Sequence, residues 1–208
     1  MPLSFPSHQG LIAPLWRRWP DRFNVLGLCI GAAAPDVVDG TAGIFRGGLG
    51  QWFGHSLFGL FLFCLPLGVA LTWLVVVAGR GMLARARREA GGHEWCAWLG
   101  RHIEALNNTP ADNSPFERFL FVCSSVWLGG FSHLVFDFVS HGYFLWLYPW
   151  ATNFRVFPSW WYARWADIPL PGYKHPYPLG PHVLVWVFLS ALGTAMLFWP
   201  LLRRRKRP

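Results

Sequence analysis

Three observations predict an all-α, multi-pass membrane protein. Charged residues are only 13% of the 208, about half the roughly 25% of a typical soluble domain. Three apolar stretches, 57–78, 119–139 and 183–202, reach the ~20 residues that a helix needs to cross a bilayer. Basic residues gather in short runs beside those stretches, as membrane topology requires. These flanking runs account for the formal charge of +8, so no nucleic-acid partner is expected and the lipid bilayer is.

The elements follow in chain order within a single membrane-embedded domain, 1–208. Residues 7–19 mix apolar and basic side chains behind Ser7 in an N-cap position, the character of an interfacial helix. Residues 23–34 are apolar but too few to cross, and Pro35 should stop them, giving a half-inserted or interfacial helix. Five glycines (Gly40, Gly43, Gly47, Gly48, Gly50) make 36–52 read as an irregular loop, completing an N-terminal region 1–56. After the first span, 79–118 is a polar, Arg-rich loop. After the second, 142–182 is rich in Trp, Tyr and Pro, which suits the lipid headgroup level. The expected total is about three transmembrane helices. No removable signal peptide is expected from the first residues. The four cysteines (Cys29, Cys64, Cys96, Cys123) show no metal or disulfide spacing.

Orientation follows from the basic residues. The 79–118 loop carries Arg80, Arg85, Arg87, Arg88, Arg101 and Arg118, and the chain ends in Arg203, Arg204, Arg205, Lys206, Arg207. The aromatic loop holds only Arg155, Arg164 and Lys174. The C-terminus is therefore expected in the cytoplasm, with the aromatic loop and the N-terminal region outside. Arg17, Arg18 and Arg22 run against that assignment.

The chemistry concentrates in His133, Asp137 and His141, at the far end of the second apolar stretch. Steps of four keep His133 and Asp137 on one helix face, with His141 further round or just past the helix end. A carboxylate at that depth is costly without a cation or a proton, and imidazole with carboxylate suits zinc. His55 immediately precedes the first span, so it meets this triplet at the same face, and His8 and Asp36 lie in the same N-terminal region. These six residues are the candidate metal ligands. Taken singly, each has a blander reading as an interhelical hydrogen bond of about 1 kcal/mol. Asp39 is a further candidate, for orienting a water. Arg155 and Arg164 could receive a phosphate group, although cations beside Trp and Tyr commonly snorkel to headgroups. His93 and His102 read as solvated, and His175 and His182 have no telling spacing. No phosphate-binding Gly-rich loop and no nucleophile elbow are present.

Pro6-Ser7-His8, Gly31 with Pro35-Asp36, His55-Ser56, and Gly130-x-x-His133-x-x-x-Asp137-x-x-x-His141-Gly142 occur in this order. Together they resemble an uncharacterised family of bacterial integral-membrane proteins, over nearly the whole chain. That family is similar to the membrane-bound metal-dependent hydrolases regulated by the DNA-damage repressor and, more remotely, to the bacterial zinc-dependent phospholipases C. The resemblance implies that Asp36, His55, His133 and Asp137 hold one zinc ion. It also implies that His8 helps hold a second, with Asp137 bridging and His141 as a further ligand or its support. No second His-x-x-x-Glu pair completes a third site. The implied activity is hydrolysis of a lipid or phosphoester at the outer face of the bacterial inner membrane. The alternatives are a metal or proton carrier and a structural subunit with a metal staple. A carrier should spread polar groups through the bilayer depth.

Overall fold

Pro35 does not end its helix. In the computed structural model, which describes residues 4–47, 52–88, 94–110, 112–141, 145–150, 156–171 and 175–204, helix α2 runs Val25–Arg46, 22 residues straight through the proline. Asn24 caps its start by accepting from the Gly27 N–H, and Gly47, at φ 70°, closes it with a bond to the Gly43 carbonyl. The missing Pro35 N–H leaves the Gly31 carbonyl without its helical donor, and Gly130 of a neighbouring helix packs close to that carbonyl. Long-range packing thus outweighs a proline cost of roughly 3 kcal/mol. The expected half-inserted segment and the irregular loop after it are corrected to one helix as far as Arg46; Gly48 and Gly50 lie outside the described residues. Four helices, not about three, are long and apolar enough to cross a membrane.

The other helices are α1 (Ser4–Arg18), α3 (Leu57–Arg88, with a π-helical turn at Leu60–Cys64), α4 (Glu94–Leu106), α5 (Pro115–Ser140) and α6 (Pro181–Arg204). Ser56 caps α3 by accepting from the Gly59 N–H. Ser114 and Glu117 form a capping box at the start of α5. The Arg-rich stretch after the first span is largely helical. The last turns of α3 pack on α4, with Gly79 against Ile103 and Gly100 against Leu83.

Helices α2 and α5 run parallel, because their contacts climb together. The Asn24 N–H donates to Ser125 Oγ at 2.8 Å, Gly31 meets Val126, and Gly129 meets Leu28. One level higher, His133 bonds to the Ala32 carbonyl. A Cβ added to Gly31 would stand 2.1 Å from the Val126 carbonyl oxygen, and one on Gly129 would stand 2.2 Å from that of Leu28. Only bare backbones fit so closely, the small-residue packing usual between membrane helices. Leu60, Cys64, Ala34 and Leu134 form the buried apolar cluster there.

Helix α1 is packed into the bundle. It lies along α6, with Ser7 and Gly10 against Gly193 and Arg17 donating to the carbonyls of Met196 at 2.8 Å and Leu197 at 3.3 Å. The connector that follows is held by Asn108, whose side-chain N–H groups donate to the Pro20 and Phe23 carbonyls. Arg17, Arg18 and Arg22 therefore sit at the same end of the bundle as α4, the start of α5 and the end of α6. Their conflict with the other basic residues disappears. At the opposite end the aromatic segment carries a 3-10 turn, Ser159–Tyr162, and a short antiparallel pair, β1 (Ala166–Ile168) with β2 (Tyr177–Leu179).

The glycine contacts give a direct test in thermal unfolding of detergent-solubilised protein. Gly31→Ala and Gly129→Ala should each destabilise by about 1–3 kcal/mol, the usual cost of overpacking. Gly40→Ala, in the same helix with nothing within 4 Å of the added methyl, should be neutral or stabilising by about 0.5–1 kcal/mol.

Candidate metal centre

His133 projects from α5 one turn before Asp137, and both are buried. Its Nδ1 stands 2.8 Å from the Ala32 carbonyl. A carbonyl only accepts, so Nδ1 carries the proton and Nε2 is left as a bare lone pair. His55, in the 3-10 turn before α3, is arranged in the same way. Its Nδ1 stands 2.7 Å from Asp39 Oδ2, and Asp39 also accepts from the backbone N–H groups of Trp52 and Gly54. A carboxylate behind an imidazole fixes the ring's tautomer and aims its other nitrogen.

The two Nε2 atoms so aimed lie 3.3 Å apart. Around them stand two carboxylates. Asp36 Oδ1 is 3.2 Å from His55 Nε2, and Asp36 Oδ2 is 3.7 Å from His133 Nε2. Asp137 Oδ2 is 3.2 Å from His55 Nε2 and 3.4 Å from His133 Nε2. Ligands about 2.0 Å from a tetrahedral zinc ion are separated by about 3.3 Å. The closest of these contacts match that spacing, and two triads, Asp36–His55–His133 and His8–His133–Asp137, are each compact enough to share one ion. The donors are imidazole and carboxylate, with an oriented shell behind His55 and His133. Without an ion the same geometry demands a proton. Burial opposes a charge on His55, but its hydrogen bonds to Asp137, Asp36 and Asp39 outweigh burial and hold the ring well above the ordinary histidine range.

The other oxygen of Asp137 faces a second pair of histidines. His8 Nε2 is 3.7 Å from Oδ1, and the His8 ring stacks on His133 with centroids 4.0 Å apart. Its Nδ1 is buried without a hydrogen-bond partner among the described residues. Burial, reinforced by neighbouring His133, pushes the His8 imidazole down to about 3. His141 ends α5, with Nδ1 3.5 Å from Oδ1 and 3.2 Å from Ser140 Oγ. Burial holds it too below its usual value. The carboxylate of Asp137 thus stands between two donor groups, one on each oxygen. Access is narrow, since the most exposed of these side chains, Asp36, retains 12% of its surface.

The structure brings together His8, Asp36, His55, His133, Asp137 and His141. Asp39 lies close by but on the far side of His55, its oxygens occupied by that ring and two backbone amides. Arg164 is exposed and pairs with Asp167; Arg155, Lys174 and His93 lie outside the described residues. His102 is exposed and bonds to the Trp98 carbonyl. His182 is a surprise: it opens α6, is buried, and its Nδ1 has no hydrogen-bond partner among the described residues. Nothing in its local sequence marks it, because its burial comes from α6 returning to the site end. Trp161, from the aromatic segment, covers the site by donating to the His141 carbonyl at 3.5 Å.

A family model described as a domain of unknown function, DUF4184, matches residues 1–166, and the chain belongs to that family. No curated protein and no solved structure matches the chain. The matched region contains all six clustered ligand candidates and ends before α6.

The depressed His8 ring predicts an acid sensitivity. Its folded value lies below the unfolded 6.5, so the unfolded chain binds the extra proton and stability falls as pH drops from about 6.5 towards 3. Between pH 6.5 and 5 the contribution is about 2 kcal/mol. In chelator-treated protein, His8→Phe, which keeps an aromatic ring stacked on His133, should lose stability less steeply than wild type over that interval in thermal unfolding.

Proposed function

We propose that this DUF4184 chain is a membrane-bound, zinc-dependent hydrolase. Its substrate would be a lipid or lipid-linked phosphoester, met at the outer face of the cytoplasmic membrane, with the C-terminus cytoplasmic. The observation that carries this reading is the pair of Nε2 atoms 3.3 Å apart, flanked by buried Asp137 and half-buried Asp36. Asp36, His55, His133 and Asp137 would hold the first ion. His8 and His141, at the other oxygen of Asp137, would serve a second. Zinc at such a site supplies Lewis acidity for opening an ester or phosphoester bond. The protein's part is to hold the donors deprotonated and aimed. Asp39 does this for His55 and the Ala32 carbonyl for His133, while Trp161 restricts water.

Three features favour a lipid-like substrate and this orientation. The site lies one or two turns from the end of a spanning helix, so a lipid would reach it by lateral diffusion. Exposed tryptophans Trp150, Trp160 and Trp165 mark the same end as a headgroup level. The basic residues collect at the opposite end, which the positive-inside rule assigns to the cytoplasm. A carrier is disfavoured, because these ionisable side chains gather at one depth and no repeat is present. The buried, four-donor first set favours one rival, a structural staple with no open position.

Protein purified in mild detergent without chelator should contain one or two equivalents of zinc by plasma mass spectrometry, and the His133→Ala/Asp137→Ala double variant none. Wild-type protein still empty after zinc is added back would overturn the proposal and leave a protonated, hydrogen-bonded core. Asp39→Asn touches no proposed ligand position yet should weaken zinc binding by about 10–100-fold, the usual effect of losing the partner behind a ligating histidine.

Activity separates the two zinc readings. Zinc-loaded wild type should hydrolyse lipid phosphomonoesters, phosphodiesters or carboxylic esters in mixed micelles, and Asp137→Ala should not. Bound zinc that raises the melting temperature, with no turnover on any of these, would favour the staple.

A further inference from the structure

A second cavity lies near the basic end of the bundle, between α3 and α5, and the centre described above makes no use of it. Its volume is about 490 Å³, within the range of small-ligand sites. Its wall is apolar and faces the bilayer, with Trp73 and Phe119 exposed by 67% and 53% and Val76 buried behind them. Its rim carries Arg80 from α3 and Arg118 from the first turn of α5. The Arg118 Nε donates to the Asn113 carbonyl at 2.9 Å, which anchors that guanidinium.

The remaining polar groups of the rim point the same way. Asn107 Oδ1 already accepts from Asn24 Nδ2 at 2.8 Å and from Thr109 Oγ at 3.3 Å, so its carboxamide has only N–H to offer a ligand. The Thr72 hydroxyl is spent on the Gly68 carbonyl at 2.7 Å. No carboxylate lines the cavity among the described residues. A rim of two cations, one of them anchored, and an amide donor suits a phosphate, and offers nothing to a choline or ethanolamine cation. The apolar wall below suits an acyl chain. Basic pockets between membrane helices on the cytoplasmic side are a known setting for anionic lipid headgroups.

We infer that this cavity binds one anionic phospholipid of the surrounding bilayer, its phosphate between Arg80 and Arg118 and a chain along Trp73 and Phe119. Simple snorkelling would let each arginine reach any headgroup independently. Here two helices bring the arginines over one apolar cleft, which makes the site selective for a negative headgroup. The inference is independent of the metal centre at the other end.

Native mass spectrometry tests it, on full-length protein in non-ionic detergent with equimolar phosphatidylglycerol and phosphatidylcholine of identical acyl chains. Wild type should retain one phosphatidylglycerol in severalfold preference, and Arg80→Gln/Arg118→Gln should bring the ratio to one. Val76→Trp keeps both charges but fills the cavity, and should lose the retained lipid as well. Phosphatidylglycerol should raise the melting temperature of wild type, whereas millimolar inorganic phosphate should not, which separates a bilayer lipid from a free anion. Equal retention of the two lipids by wild type would overturn the inference. So would an undiminished preference in folded Arg80→Gln/Arg118→Gln or folded Val76→Trp, or a phosphate effect equal to that of the lipid.

Discussion

The site end of this protein depends on one electrostatic requirement: two carboxylates with little access to water and two inward-facing imidazole nitrogens need positive charge between them. Asp36 comes from α2, His55 from the turn before α3, and His133 and Asp137 from α5. A cation or proton at their meeting point therefore ties three separate segments together. If it is removed, two carboxylates with little access to water repel each other at a cost the surrounding apolar packing would have to meet. The arrangement behind the donors leaves little freedom to relax. Asp39 is fully buried and accepts from two backbone amides as well as from His55, so it fixes the ring and the turn that carries it in one step.

The requirement can be met only because α2 and α5 approach backbone to backbone. Gly31, Gly129 and Gly130 set that approach, and it is what puts the Ala32 carbonyl within reach of His133. The same register brings Asn24 to Ser125 one end down and Asp36 to Asp137 one end up. Helix packing and site geometry are thus one constraint read at two heights. A side chain at Gly31 or Gly129 would push against the facing backbone that carries the site.

What the sequence made legible follows from locality. Spacing of four along one helix placed His133 and Asp137 on a common face, and the position of His55 just before a span put it at the matching end of its neighbour. Apolar length identified three of the four candidate spans. The fourth was hidden by Pro35 and the glycines after it, whose local preference for a break is overridden by contacts with α5. Arg17, Arg18 and Arg22 look misplaced when three crossings put the N-terminal region outside, and the fourth candidate span, α2, removes that conflict. The glycine contact of α1 with α6, through Gly10 and Gly193, has no signature along the chain. Asp39 and His182 were obscure for a similar reason, since each gains its surroundings from residues distant in sequence. The family match covers residues 1–166 and so includes the clustered candidates while leaving out the helix that buries His182.

The two ends of the bundle solve opposite problems with the same economy of charge. At one end, acids and histidines are gathered with little exposure beside Trp161. At the other, arginines from α1, α3, α4 and α5 are exposed. The exposed carboxylates Asp21, Glu94, Glu104, Asp112 and Glu117 lie at that end too but are outnumbered by arginines, and Glu117 is committed to the cap at Ser114. Between these ends the spanning helices carry almost no ionisable side chains, so the charge asymmetry is vertical. An asymmetry of that kind fixes orientation in a bilayer and confines buried chemistry to one leaflet. For a hydrolase of lipid-like molecules it would allow the reacting centre to be narrow, since orientation and approach are already decided by the membrane.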